Sequence, residues 1–215
     1  MPYWIFNRMR PEDADAIVAY LRVLPAVEHE LPPNQPNASD MRGPYQAYEL
    51  PNDAVPQSTL PPDHAHYESA QRGRYLAASA TPCLLCHTPP SDDPALPIDP
   101  ARAFSGRRKV LGVKLGEPGQ GAPLIESFNL TPHENGIGRW SAADVAQLLR
   151  LGVAPNGLPV CDPMPSYYGG SFTGMNERDA LDLGHYFTTI PAQDSGVIPQ
   201  CCTACHGNMF DQDGG

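Results

Sequence analysis

Apolar residues recur at helical spacing in four stretches of this chain, and proline-rich stretches separate them. Residues 11–24 begin with a proline and two acidic residues and place Ile17, Val18 and Leu21 with Ala14 on one face, which predicts an amphipathic helix. A segment rich in proline, glycine and aspartate, residues 90–112, shows no strong element. The same reasoning predicts three further helices: residues 68–78, the stretch after a cap at Ser141 with Asp144 three residues on, and residues 176–188.

An internal repeat relates the first helix to the last. The chain begins with Met1-Pro2, and the same dipeptide recurs as Met164-Pro165 before the last helix. After a three-residue insertion, Met9, Asp13, Ala14, Tyr20, Pro25 and Ala26 match Met175, Asp179, Ala180, Tyr186, Pro191 and Ala192. Two unrelated amphipathic helices that both end in proline are the alternative. The repeat indicates that the chain opens on the last part of a domain whose beginning is missing.

The predicted organisation follows from the repeat and from the proline content. We expect four parts: residues 1–30 as the remnant of a preceding domain, residues 31–66 as a proline-rich linker, residues 67–193 as a complete domain, and residues 194–215 as a tail.

Composition narrows the classes of function. The chain has 26 prolines among 215 residues and a net charge of −10, so a loop-rich acidic protein is expected. Nucleic acid is excluded as a partner because phosphate binding needs a basic face. No apolar run reaches the ~18 residues of a membrane span, so no transmembrane segment is predicted. The N-terminus, MPYWIFNRMR, does not have the pattern of an export leader.

Two Cys-x-x-Cys-His motifs carry the chemistry. Both cysteines of such a motif can form thioether bonds to a haem while the adjacent histidine binds the iron, since one tight turn presents all three side chains. Zinc ligand pairs usually lie within about 15 to 20 residues of each other, and these motifs lie much farther apart. A redox dithiol would need a strand-helix-strand context, which this chain lacks. The motif residues are Cys83, Cys86 and His87, and then Cys202, Cys205 and His206.

A haem iron held by His87 needs a second axial ligand, and Met164 is the best candidate. It lies in the segment DPMPSYYGG, where flanking prolines hold the backbone extended and prevent a helix. A thioether in such a rigid loop can be directed at one point, whereas a methionine on a helix usually fills a core. Met1, the repeat partner of Met164, would have been a ligand for the absent domain.

Five segments, in this order along the chain, resemble those of a class I c-type cytochrome. They are YESAQRGRYLA, CLLCHTP, NLTPHENGIGRWSAADVAQLLRLGVAPNG, Met164-Pro165 and DALDLGHYFTTIP. The resemblance extends to the multi-domain cytochrome c subunits of membrane-associated bacterial alcohol, aldehyde and sugar-acid dehydrogenases. It implies a small all-α fold around a covalent haem c, with long loops and with the first and last helices crossing where Gly73 lets Tyr186 approach. It also implies that Trp140 lies beside a haem propionate, although a core tryptophan before a helix would look the same.

The family attaches its haem outside the cytoplasmic membrane, so the resemblance implies a periplasmic location or the outer face of that membrane. The missing leader and missing upstream haem motif are then explained if the chain is an N-terminally truncated fragment or has a misplaced gene start. Only nine residues follow His206. Its motif therefore holds a haem with a ligand from elsewhere, belongs to a domain that has been lost, or is not used for haem.

Two cysteines remain if four bind haem. An oxidising compartment favours pairing these two, Cys161 and Cys201, and a disulfide there would hold the tail beside Met164. This pairing is a hypothesis that peptide mapping would test.

The function predicted from the sequence is one-electron transfer between a dehydrogenase and a terminal acceptor such as an oxidase or another cytochrome, without catalytic activity of its own. Methionine ligation would leave the iron without an open site. A basic run of Arg107, Arg108, Lys109 and Lys114 could meet an acidic partner or the propionates, or form a solvated loop. The alternatives are a dihaem peroxidase, with His133 or His185 as its acid-base group, and a zinc-bound structural module.

Overall fold

A computed structural model describes residues 3–30, 33, 49–111, 124–158, 160, 164 and 172–196. Within this part of the chain the helices are α1 (Tyr3–Phe6), α2 (Pro11–Val23), α3 (Tyr67–Tyr75), α4 (Cys83–Cys86), α5 (Ala142–Leu151) and α6 (Glu177–Phe187). A π-helical turn, Leu76–Ala80, continues α3, and 3₁₀ turns lie at Asn52–Ala54 and Pro100–Arg102. All four predicted helices are present.

The helix starts follow the capping signals in the sequence. Ser141 accepts a hydrogen bond from the Asp144 backbone N–H while the Asp144 carboxylate accepts one from the Ser141 backbone N–H, which is a complete capping box. Asn176 caps α6 by accepting from the Asp179 backbone N–H. Gly152 ends α5 at a φ of 68°, a conformation that glycine adopts without strain.

The core forms where α6 crosses α3 and α5. At the first crossing, a Cβ atom added to Gly73 would overlap the carbonyl oxygen of Asp182 and lie 2.7 Å from Tyr186 Cβ. At the second, a Cβ atom on Gly184 would overlap the carbonyl oxygen of Ala142. Both backbones therefore approach so closely that only glycine fits. The expected crossing of the first and last domain helices at Gly73 is confirmed.

A short antiparallel ladder was not predicted. Strand β1 (Lys109–Leu111) pairs with β2 (Leu124–Glu126) in the register Lys109 to Glu126. It lies partly in the segment for which the sequence showed no strong element. A strand of three residues is too short to show a recognisable alternation of apolar and polar positions. Its pairing also depends on a distant segment rather than on local preference. In the part of the chain that the structure describes, all other regular elements are helices or helical turns, which is consistent with the all-α prediction.

The second half of the stretch expected to be a linker lies against the helices. Arg74 Nη2 donates to the Val55 carbonyl at 2.8 Å, and the Tyr186 hydroxyl donates to the Pro56 carbonyl at 2.8 Å. The Thr59 backbone N–H donates to the Thr189 carbonyl at 2.7 Å. Leu50, Ala54 and Val55 are buried in the core.

Helix α2 buries none of its residues. The large residues of its predicted apolar face are exposed to about half of their surface, with Ile17 at 48%, Val18 at 47% and Leu21 at 57%. The helix is attached at its start, where the Tyr75 hydroxyl donates to the Asp13 carboxylate at 2.5 Å and the Arg10 guanidinium lies over the Tyr75 ring. Within the described residues, its apolar face is therefore without a packing partner.

Candidate haem-attachment site

Helix α4 is a single turn that presents the first cysteine pair. The Cys86 backbone N–H donates to the Pro82 carbonyl at 3.0 Å, and the His87 backbone N–H donates to the Cys83 carbonyl at 2.9 Å. Cys83 is buried and Cys86 is half-buried. Both cysteines and the histidine therefore lie on one turn that closes immediately after the second cysteine.

His87 has one ring nitrogen with a partner and one without. The residue is 4% exposed, and its Nδ1 lies 2.7 Å from the Phe128 carbonyl oxygen. A carbonyl oxygen only accepts, so Nδ1 carries the proton and donates. Among the described residues, nothing hydrogen-bonds to Nε2. Burial lowers the pKa of His87, which the Phe128 hydrogen bond opposes, so the ring is neutral at neutral pH and Nε2 has a free electron pair.

A network of backbone contacts fixes the position of this histidine. The Gly106 backbone N–H donates to the His87 carbonyl at 2.7 Å, and a Cβ atom on Gly106 would lie 2.6 Å from the Ser127 carbonyl. The Phe104 backbone N–H donates to the buried Thr88 hydroxyl at 3.1 Å. Phe104 has a φ of 64°, a left-handed conformation that is strained for a residue with a side chain.

Asn129, fully buried, organises the loop that supplies the Phe128 carbonyl. Its side-chain oxygen accepts from the Thr131 backbone N–H at 2.9 Å and from the Thr131 hydroxyl at 2.8 Å. Its amide nitrogen donates to Asn135 Oδ1 at 2.9 Å and to the Gln193 carbonyl at 2.7 Å. Neither Asn129 nor Phe128 is among the site residues predicted from the sequence. An asparagine two residues before a threonine is a common turn signal and could have indicated the turn, whereas a carbonyl acceptor leaves no signal in the sequence.

The two thiols are not activated. Burial raises the pKa of Cys83 to about 11, opposed by a hydrogen bond with the Thr81 hydroxyl 3.0 Å away. Burial also raises the pKa of Cys86, opposed by the charge of Arg108. A redox-active Cys-x-x-Cys pair has a lowered thiol pKa, which makes it a good nucleophile at neutral pH. The surroundings of Cys83 therefore do not favour the dithiol interpretation.

A zinc site likewise finds no support among the described residues. In that part of the chain, no group of three or more His, Cys, Asp or Glu side chains is close enough together to hold a metal ion.

His133 Nδ1 lies 2.9 Å from Asn135 Oδ1, and His185 Nδ1 lies 2.8 Å from Ser69 Oγ. Both histidines nominated for a peroxidase are therefore part of local hydrogen-bond networks.

The structure brings some of the other predicted site residues to the core. Met164 is half-buried and packs against the hydrophobic core that includes Cys83. Trp140 is 9% exposed and belongs to the same core, directly before α5. The remaining predicted residues lie outside the described part of the chain: Cys202, Cys205 and His206 of the second motif, Cys161 and Cys201 of the hypothetical disulfide, and Lys114.

The basic run makes structural contacts. Arg107 Nη1 donates to the Ser195 carbonyl at 3.2 Å, and Arg108 Nη1 donates to the Pro97 carbonyl at 3.1 Å. Lys109 lies opposite Glu126 in the ladder, a position where opposite charges are favourable. These contacts favour a role in holding the loop beside α4 over a free basic patch.

One turn that presents two thiols, followed by a buried neutral histidine with a free Nε2, is the arrangement typical of c-type cytochromes. The chain is 31% identical over 163 residues to the cytochrome c subunit of the quinone alcohol dehydrogenase of Gluconacetobacter polyoxogenes, covering 71% of this chain and 31% of that protein. It is 25% identical over 195 residues to the fructose dehydrogenase cytochrome subunit of Gluconobacter japonicus, covering 90% and 37%. It is 26% identical over 207 residues to the gluconate 2-dehydrogenase cytochrome c subunit of Pantoea cypripedii, covering 91% and 43%.

These relatives confirm the resemblance to cytochrome c subunits of dehydrogenases. The chain spans between 31% and 43% of the length of the three relatives. No protein-family model matches it. Of the helices that the structure describes, none combines the length and the apolar character needed to cross a membrane.

Proposed function

We propose that this chain is a c-type cytochrome that carries electrons one at a time through a haem c bound at Cys83, Cys86 and His87. The observation that carries the proposal is the buried His87 ring, whose Nδ1 is engaged by the Phe128 carbonyl and whose Nε2 has no hydrogen-bond partner among the described residues. A buried ring nitrogen without a partner is unfavourable unless another group binds it. A ferric or ferrous iron is the group that this sequence motif implies.

The residues present fit a haem c. Cys83 and Cys86 would form the thioether bonds, His87 Nε2 would bind the iron, and Met164 would supply a second iron ligand. A haem held in this way supplies reversible one-electron oxidation and reduction. The rest of the work belongs to the chain: the Phe128 carbonyl orients the imidazole, the α3, α5 and α6 core excludes water, and burial keeps His87 neutral.

The donor and acceptor of the electrons are inferred from the relatives. Three of them are subunits of alcohol, fructose and gluconate dehydrogenases. We propose that this chain accepts electrons from a dehydrogenase and passes them to a terminal acceptor of a periplasmic respiratory chain. The second motif, Cys202, Cys205 and His206, would hold a further haem, and Trp140 would lie beside a propionate of the first.

A pyridine haemochrome assay tests this function. The chain, fitted with a leader and matured by a cytochrome c assembly system, is expected to carry at least one covalent haem per chain. Protein that leaves the assembly system with both thiols of α4 free and no haem would overturn the proposal.

The Met164→Ala variant separates a carrier from an open-site haem. We expect the variant to retain covalent haem but to lose the sulfur-to-iron charge-transfer band near the red end of the spectrum. Its reduction potential should also fall, because methionine ligation raises the potential of a haem iron. Met175→Ala, which removes a methionine that also packs against the core, is the matched control and should retain the band. An unchanged spectrum in Met164→Ala would show that another residue is the sixth ligand.

We also propose that residues 1–30 are the last part of a second domain of the same kind. They would correspond to residues 164–192, which are the last part of the domain of residues 67–193. The repeat aligns Ala14, Ile17 and Leu21 with Ala180, Leu183 and Phe187. Those three partners in α6 are at most 2% exposed, whereas the apolar face of α2 is uncovered. The same helical face is therefore packed in one repeat and left for a further helical unit in the other, with residues 31–66 as the connection and residues 194–215 as the tail.

Two matched substitutions test this difference. Leu183→Ala is expected to lower the free energy of unfolding by about 3 kcal/mol, because it leaves a cavity in a packed core. Ile17→Ala at the aligned position is expected to change it by less than about 0.5 kcal/mol in this chain. Chemical denaturation monitored by circular dichroism measures both. If Ile17→Ala proved as damaging as Leu183→Ala, the α2 face would already be covered within this chain and the second unit would not be needed.

A further inference from the structure

A row of three imidazoles lies outside the haem-attachment site, between the segment before α3 and helix α6. The ring centroids of His66 and His185 are 4.1 Å apart with an angle of 15° between the planes, so the rings are stacked. The His64 and His66 centroids are 5.5 Å apart, and His64 Nδ1 accepts from the His66 backbone N–H at 3.1 Å. The row therefore joins residues 64–66 to α6 through three imidazole side chains.

The hydrogen bonds around Ser69 determine which nitrogen of His185 carries the proton. Ser69 Oγ lies 2.5 Å from Asp182 Oδ1 and 2.8 Å from His185 Nδ1. Asp182 is a carboxylate in an ion pair with Arg72 at 2.9 Å, so it only accepts and takes the single hydroxyl proton of Ser69. His185 Nδ1 must then donate to Ser69 Oγ. Proton uptake and release at His185 therefore take place at Nε2, while the chain of hydrogen bonds stays intact.

The groups that face the row decide how many protons it accepts. From the segment before α3 these are His64 and His66, from α3 they are Ser69 and Arg72, and from α6 they are Asp182 and His185 itself. Asp182 attracts a proton to His185, but this carboxylate is already shared with Arg72, which also pairs with Asp179. Two protonated rings stacked at this distance would repel each other, so the closed row accepts fewer protons than three separate histidines would.

We propose that His64, His66 and His185 form an acid-sensitive latch that holds residues 58–66 against α6 at neutral pH and releases them at mildly acidic pH. This inference is independent of haem binding. The direction follows from proton linkage: the released segment binds more protons than the latched one, so acid favours release. Burial, followed by the charges of His66 and His64, lowers the pKa of His185, with Asp182 opposing. The latched state is therefore favoured above about pH 6.5 and loses stability below it.

Released residues would lose identifiable hydrogen bonds. The Thr59 backbone N–H donates to the Thr189 carbonyl at 2.7 Å, and the Ser58 and Thr189 hydroxyls are 2.8 Å apart. The Tyr67 backbone N–H donates to the His64 carbonyl at 2.9 Å. Release would expose the Thr59 and Tyr67 amides to exchange with solvent while the crossings of α6 with α3 and α5 stay packed.

Hydrogen exchange on the haem-loaded protein tests the latch. Between about pH 7.5 and about pH 5, after correction for intrinsic exchange, protection of the Thr59 and Tyr67 amides is expected to fall on the order of tenfold, because the released segment binds more protons than the latched one. The Val145 amide in α5 should show no such fall. Protection that does not depend on pH at Thr59 and Tyr67 would overturn the latch.

The His66→Phe variant removes an imidazole but keeps an aromatic ring for stacking on His185. It is expected to reduce the fall in protection of Thr59 and Tyr67 between the two pH values, because repulsion between His66 and His185 is removed, whereas His29→Gln, at an exposed histidine outside the row, should retain the full pH dependence. An unchanged pH dependence in His66→Phe would contradict the proposal. The ¹⁵N shifts of the unmodified protein give an independent check. They should show that the neutral His185 ring carries its proton on Nδ1. They should also show that the pKa of His185 lies below that of an ordinary histidine.

Discussion

Replacing Gly73 with alanine is expected to lower the free energy of unfolding by about 3 kcal/mol or more. In an isolated helix this change would be stabilising by up to about 1 kcal/mol, because alanine has the higher helix propensity. Here the added methyl group would overlap the carbonyl oxygen of Asp182 and press on Tyr186 Cβ, and both belong to a helix held on its other side by α5. The helices must therefore move apart, and core contacts of Tyr186 are lost.

Gly174→Ala is the matched control, since no atom lies within 4 Å of a Cβ atom built at that position. It should leave the free energy of unfolding within about 0.5 kcal/mol of the unmodified protein. Denaturant unfolding of the haem-loaded forms measures both variants. A Gly73→Ala variant as stable as Gly174→Ala would mean that α3 and α6 do not cross as closely as the structure shows.

The second large effect is expected from the Cys83→Ser/Cys86→Ser double variant. Without the two thiols of α4, no sulfur atom is present there to form thioether bonds to a haem. The number of covalent haems per chain should therefore fall by one. Serine keeps the size and polarity of the turn, and the bonds that close it, from Cys86 to Pro82 and from His87 to Cys83, are made by the backbone. The loss of haem would therefore reflect chemistry rather than misfolding of the turn.

The Cys202→Ser/Cys205→Ser variant is the counterpart that removes the second motif. If both motifs hold haem, each double variant loses one haem and the four-fold variant loses both. If only α4 holds haem, the second double variant is unchanged. Haemochrome counts together with the masses of haem-bearing peptides distinguish these cases. Retention of the full haem count in Cys83→Ser/Cys86→Ser would refute the assignment of the site.

A local pattern was enough wherever the physical cause is also local. The helix starts were predicted from Ser141 with Asp144 and from Asn176, because a capping side chain hydrogen-bonds to a residue only three positions along the chain. The spacing of Cys83, Cys86 and His87 was equally readable, since one helical turn sets all three positions. The crossing at Gly73 followed from the family resemblance, and the close approach to Asp182 explains why a glycine is needed there.

The features that the sequence left open all depend on residues far apart along the chain. The Phe128 carbonyl that fixes His87 lies 41 residues away and carries no side-chain signal. The Ser69 link to His185 spans 116 residues, and the β1 and β2 pairing depends on a partner strand rather than on local propensity.

The contrast between α2 and α6 shows that the burial of a whole helix face also depends on residues far apart along the chain. The sequence by itself determined that both are amphipathic helices, because periodicity and caps act within a few residues. Only the tertiary structure decided that α6 buries its face and that α2 does not, since burial depends on which surfaces meet when the chain folds. Likewise, the sequence determined the chemistry of the haem motif, whereas the neutral state and the orientation of His87 come from a core and a carbonyl supplied by the folded chain.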